Sequence, residues 1–243
     1  MATDLYRTFA EHLEDLRWSL TKSLVAVVLA FGLAYPFSDR IFAWMVNPLK
    51  EILQSESGLI GTGVAEAFFI EIKLAAVVGV LLASPVIFYQ LWRLMASRVQ
   101  GGEKRFVVPF VFCASLFFAG GAYFCYRVVL PLAFLYFIDQ YRSLAVAPEI
   151  RIGEYFTFFF RIVLAFGIAF ELPVFTFFLV RLGLWNYRFL WRQFRYALLV
   201  IFILAAILTP GPDVISQVLL AIPLTLLYLL SIGVAYIWRR KEA

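Results

Sequence analysis

Between Arg161 and Arg181 run nineteen residues, 162–180 (IVLAFGIAFELPVFTFFLV), whose only charge is Glu171. Coiled as an α-helix at about 1.5 Å per residue, they cover roughly 30 Å, the thickness of a bilayer's hydrocarbon core. Similar apolar runs fall at 18–35, 72–95, 106–126, 156–180, 196–208 and 214–238. With 63% hydrophobic residues over 243 positions and a mean hydropathy of +0.89, no large soluble domain fits beside them. In hydrocarbon only helices and closed barrels satisfy their own backbone, so the sequence predicts an all-α polytopic membrane protein, residues 1–243 forming one transmembrane domain with six spans.

An even number of spans puts both termini on one side. If that side is the cytoplasm, 14 of the 21 Lys and Arg residues lie there and 7, including Lys73 and Arg161, lie outside. The positive-inside rule supports this orientation. The net charge of +5 is spread in short clusters between apolar runs, which fits membrane orientation and gives no nucleic-acid footprint.

The fifth run has only 13 apolar residues, about 20 Å of helix, so the fifth and sixth helices read as short or hairpin-like, with a re-entrant hairpin as the simplest alternative. Two outer loops are long, 36–71 and 127–155, with interfacial helices expected near 41–53 and 130–141. The inner loops at 97–105 and 182–195 are tighter, and an inner tail occupies 239–243. Leu5, Phe9, Leu13 and Leu16 recur at helical spacing, predicting an amphipathic helix over 4–17. Its net charge of −1 is unlike the positive start of a secretory signal.

The sequence offers no metal or nucleotide chemistry. His12 is the only histidine, Cys113 and Cys125 sit about 18 Å apart on one expected helix, and neither a P-loop nor a nucleophile elbow occurs. No catalytic residue, metal or cofactor is expected.

Three sets of residues remain. Glu171 occupies the middle of a span, where a charge costs about 2.5–3.5 kcal/mol on insertion scales. Intramembrane ionisable groups of this kind usually serve function, although an interhelical hydrogen bond would also explain it. Glu14 and Asp15 on the N-terminal helix and Glu103 in an inner loop could together offer carboxylates to a guanidinium, or could simply be solvated charges. Thr209, Asp213, Ser216 and Gln217 make a polar set beside the last turn, where Asp213 is placed to cap the sixth helix.

These segments coincide with one family. HLEDLR at 12–17, the Asn47-Pro48-Leu49 step, AEAFFIEIK at 65–73, SPVIFYQLW at 84–92, GEKR at 102–105, LPLAF at 130–134, AFGIAFELPV at 165–174 and LTPGPDVISQVLLAIP at 208–223 appear in order. Over essentially its whole length the chain resembles the TatC family of twin-arginine translocase subunits. The resemblance implies a concave, cup-shaped subunit of the cell inner membrane, energised by the proton-motive force. It would bind Arg-Arg signal peptides of folded cargo and assemble with single-span TatA and TatB into an oligomeric complex. It implies signal-peptide contacts at Asp15, Glu103 and Arg17, structural or functional weight at Pro48 and Asp213, a role for Glu171 on the concave face, and partner-helix docking at Thr209 and Gln217. The chain also departs from the family pattern. Asp15 replaces the usual glutamate and Glu14 sits beside it, leaving open which acid meets the guanidinium. Ser97 and Gly101-Gly102 alter the inner loop, and Leu229 replaces an acid of the last helix. A secondary transporter coupled through Glu171 is the rival reading; it would predict inverted repeats, and none is evident.

Overall fold

The computed structural model describes residues 2–53, 59–96, 107–181, 183–211 and 213–238; the side chains of 2–12, 53, 95 and 96 lie outside that description. Glu103 with the rest of the 97–105 loop, the 239–243 tail and the His12 side chain are therefore expectations on which the structure is silent. The described chain folds as α1 (Ala2–Ala34), a 3-10 turn (Tyr35–Phe37), α2 (Ser38–Leu53), β1 (Leu59–Ile60), α3 (Glu66–Ala96), α4 (Val107–Phe124), a π turn (Cys125–Val129), α5 (Leu130–Ser143), β2 (Ile150–Arg151), α6 (Ile152–Arg181), α7 (Tyr187–Leu208) and α8 (Val214–Ile237). Six of these stretches are long and apolar enough to cross a membrane.

Several boundaries differ from the sequence reading. The expected amphipathic helix and the first span are one unbroken helix, since residues 2–34 contain no proline and only Gly32 near the end. The fifth helix begins at Tyr187, well before its apolar run, because the Asn186 side chain accepts the Arg188 N–H at 3.4 Å and starts the helix there. At 22 and 24 residues, α7 and α8 are about 33 and 36 Å long, so neither is short as a helix. They are hairpin-like only in packing against each other across the 209–213 turn. The segment after α4 starts without a loop: the π turn leads directly into α5 and Pro131, whose ring would crowd the Arg127 carbonyl in an ordinary α-turn. The parallel pairing of β1 with β2, Leu59 opposite Ile150, joins the segment before α3 to the segment before α6 and had no signal in the local sequence.

The spans form an open arc. α1 leans chiefly on α3, α3 on α4 and α6, α4 on α6, α6 on α8, and α8 on α7. Lipid gives no hydrophobic force between helices, so close packing has to come from small residues that let backbones approach. At Gly79 an added Cβ would lie 2.9 Å from the Phe31 nitrogen of α1. At Gly121 of α4 it would lie 2.7 Å from the Phe166 carbonyl oxygen and 2.8 Å from Phe170, and at Gly167 of α6 it would lie 2.8 Å from the Phe118 ring. The α4–α6 seam is therefore notched from both sides.

One end of the bundle carries α2, α5, the strand pair and the α7–α8 turn. Aromatic residues at the start of α6 pin α2 and α5, with Phe42 stacked on Phe156 at 5.2 Å and Phe134 against Tyr155 at 5.1 Å. Pro48 lies inside α2 and has no N–H to give the Trp44 carbonyl one turn back. Tyr126 of the π turn supplies the missing donor: its hydroxyl donates to the Trp44 oxygen at 2.7 Å while its ring stacks on the Trp44 indole at 4.1 Å. The buried Tyr155 hydroxyl donates to the neighbouring Met45 oxygen at 2.8 Å. Two tyrosines thus hold α2 by its backbone.

Two outcomes follow from this packing. Gly121→Leu is expected to destabilise the protein by about 1–3 kcal/mol through overpacking, whereas Gly120→Leu, with open space at its Cβ, should be neutral; thermal unfolding in detergent distinguishes them. Tyr126→Phe, which leaves the Trp44 carbonyl unpaired, is expected to cost about 1–3 kcal/mol. The same change should cost less in a Pro48→Ala background, where an alanine N–H can bond that carbonyl, and a double-mutant cycle measures the difference.

Candidate functional site

Glu14, Asp15 and Arg17 all lie exposed on the first half of α1, at the end of the bundle opposite α2. Consecutive residues diverge by about 100° around a helix, so Glu14 and Asp15 present their carboxylates to different sectors. Neither makes an ion pair among the described side chains. Leu13, Leu16 and Trp18 stand exposed beside them, so this surface combines acid with apolar area.

Glu171 sits one helical turn past Gly167 and thus on the same face of α6. Its side chain is only 4% exposed. Both carboxyl oxygens are enclosed; they face the Phe118 backbone of α4 without a hydrogen bond of normal geometry. The carboxyl is therefore turned into the α4–α6 seam. A structural role would call for a buried polar partner; among the described residues neither carboxyl oxygen makes a hydrogen bond of normal geometry. An enclosed carboxyl without a partner is energetically unfavourable, so this position stands ready to take a polar group if the seam loosens.

The third set gathers at the α7–α8 turn. Thr209 caps α7, its hydroxyl donating to the Ala206 oxygen at 3.2 Å. Gln217 reaches across from α8, its amide nitrogen donating to the Phe202 carbonyl of α7 at 2.9 Å. Asp213 caps α8 by accepting the Ser216 N–H at 2.7 Å and the Ser216 hydroxyl, and it accepts the Tyr136 hydroxyl of α5 at 3.3 Å. Burial works to raise the Asp213 pKa, but these hydrogen bonds outweigh it and hold the carboxyl below its usual value. Asp213 thus fixes the turn to α5. Pro48 lies at this same end of the bundle, about 28 Å of α1 away from Asp15.

The structure adds residues that sequence reasoning did not single out. Glu66, the first residue of α3, accepts the Thr62 and Gly63 N–H groups at 2.7 and 3.0 Å and the Gly153 N–H at the start of α6 at 2.8 Å. Its available signal was an acid opening a helix just after Gly61-Thr62-Gly63, a common arrangement for capping. Its partnership with Gly153 is long-range and leaves no local trace. At Gly153 a Cβ would meet the tip of the Glu66 side chain, so a larger residue there would push the carboxylate aside. Tyr126 and Tyr155 were likewise invisible as clamps, because their partners are backbone carbonyls far away in sequence.

Comparison with known proteins gives one result throughout. The family model described as "Sec-independent protein translocase protein (TatC)" matches residues 11–223. A TatC protein of Campylobacter jejuni is 42% identical, with 94% of this chain and 93% of the relative covered. The TatC of Koribacter versatilis is 37% identical, covering 97% of this chain and 87% of its own length. A crystal structure of the "Twin Arginine Translocase Receptor- TatC" superposes with a TM-score of 0.85 at 36% identity, covering 94% of this chain and all of that one. These relatives lend no support to a small-solute transporter. With six membrane-crossing helices in the matching arrangement, this chain belongs to the TatC family of Sec-independent protein translocase components.

Proposed function

We propose that this chain is the receptor and core subunit of a twin-arginine export system in the cell inner membrane, with both termini cytoplasmic. The arginine pair of a cargo's signal peptide docks on Asp15 or Glu14 together with Glu103, with Arg17 beside them. The apolar part of the signal then lies along the concave side of the arc toward Glu171. Thr209 and Gln217 receive the single spans of TatA and TatB, and assembly into a larger complex completes a passage driven by the proton-motive force. A protonatable group at Glu171 is compatible with that energy source.

The observation that supports this reading best is the exposed face of α1. Glu14 and Asp15 stand free of ion pairs among the described side chains, beside exposed Leu13 and Leu16. Carboxylates next to apolar surface match a peptide in which guanidinium groups precede an apolar run. Arginine is favoured over lysine because its planar fork bonds carboxylate in a bidentate manner. At the other end, only the Gln217 amide nitrogen is engaged among the described contacts, leaving its carbonyl oxygen for an incoming helix.

In cells lacking their own homologue, a folded reporter with an Arg-Arg signal is expected to be exported at least about tenfold faster than its Lys-Lys counterpart, the equivalent of one charge-assisted hydrogen bond. Equal export of the two overturns the guanidinium site. Comparing Glu14→Gln with Asp15→Asn in this assay identifies the acid that meets the signal, as the more damaging change. Glu171→Ala should lower export while leaving signal-peptide binding intact, read by crosslinking a signal peptide to the purified protein; undiminished export shows the carboxyl to be idle.

A further inference from the structure

At the α2 end of the bundle, a cleft of about 790 Å³ opens between the starts of α3 and α6 and the α7–α8 turn. Its charged lining is Glu66, Lys73, Arg151, Glu154 and Arg161. Both acids are already committed: Glu66 to three backbone amides, and Glu154 to Arg151 at 3.6 Å. Lys73 and Arg161 are exposed and make no ion pair or hydrogen bond among the described residues. They come from different helices, about 10 Å along α3 and about 13 Å along α6 from the helix starts. Lys73 and Arg161 thus stand at the edge of the apolar runs of α3 and α6, the level at which a bilayer places its headgroups.

Much of the remaining lining is apolar, with Phe69, Leu208 and Pro210 open to the cleft, so charge and hydrocarbon-like surface meet in one cavity. Its volume lies in the range of small-molecule sites, about 300–1,000 Å³, and far exceeds a lone oxyanion. A ligand carrying one anionic oxygen cluster attached to apolar chains satisfies both halves, and the bilayer supplies such molecules at this depth in every direction.

We propose that this cleft binds an anionic phospholipid of the leaflet on the α2 side. Lys73 and Arg161 hold the phosphate from two sides, and the acyl chains run over Phe69, Leu208 and Pro210. The bound lipid thereby bridges α3 and α6 beside the Glu66–Gly153 contact.

Native mass spectrometry of the detergent-purified full chain, titrated with phosphatidylglycerol, phosphatidylcholine or inorganic phosphate, tests this. Phosphatidylglycerol is expected to be retained about tenfold more tightly than phosphatidylcholine. The Lys73→Gln/Arg161→Gln double variant should lose this preference, Lys73→Arg/Arg161→Lys should keep it, and Arg142→Gln, away from the cleft, should not alter it. Unchanged retention by the double glutamine variant overturns the proposal. Thermal protection by inorganic phosphate equal to that by phosphatidylglycerol also overturns it, by revealing a free-anion site. If the double variant does not fold, a phosphatidylglycerol with a photoactivatable chain is applied to the wild-type protein. Crosslinks at Phe69, Leu208 or Pro210 are expected; crosslinks confined to other segments, or an acidic protein segment held there in place of lipid, rule the lipid out.

Discussion

Hydrocarbon offers backbone amides and carbonyls no water, so each one has to find its partner within the protein. This chain places prolines inside four helices, Pro48, Pro85, Pro173 and Pro223, and each removes a donor from the carbonyl one turn earlier. At Pro48 the response is visible: the freed Trp44 oxygen takes the Tyr126 hydroxyl, and that bond fixes the interfacial helix α2 to the π turn. A local defect thus becomes a tertiary anchor. The same demand sets the turns, where Asp213, Asn186 and Glu66 supply side-chain acceptors to the first amides of α8, α7 and α6 or of the segment before α3.

Given a satisfied backbone, what remains is how closely helices approach. The α4–α6 seam is closed by Gly121 and Gly167, each filled by a phenylalanine of the partner helix, and Glu171 lies one turn farther along this seam. An acid on the open concave surface would meet water or a passing segment without rearrangement. An acid inside a seam meets them only when α4 and α6 separate or the side chain swings out. The glycine notches that tighten the seam therefore also set how hard Glu171 is to reach. This links packing in the span to any function the carboxyl performs.

Much of this architecture was legible in the sequence, and its limits have physical causes. Spans announce themselves by hydropathy, and Asp213 announces itself as a cap, because both signals are local. The start of α7 was misplaced because its first turns are rich in arginine, and hydropathy tracks the apolar surface while helix formation follows the cap at Asn186. α1 and its amphipathic extension were divided because the pattern changes from polar to apolar, although nothing in residues 2–31 interrupts a helix. The buried setting of Glu171, the tyrosine clamps and the Glu66–Gly153 contact depend on partners from other helices, which periodicity does not encode. Of the acids in the signal-peptide reading, Glu14 and Asp15 were recognisable from the HLEDLR stretch, and helix periodicity alone sets them about 100° apart.

The Glu66 carboxylate and the Gly153 amide are 87 positions apart, with α3, α4 and α5 between them. During synthesis the segment before α3 cannot be locked until the ribosome has delivered the beginning of α6. The early helices must therefore enter the bilayer with their connecting segments still unfastened. The last fastening of that segment waits on one late glycine, whose amide closes a latch on an acid made much earlier.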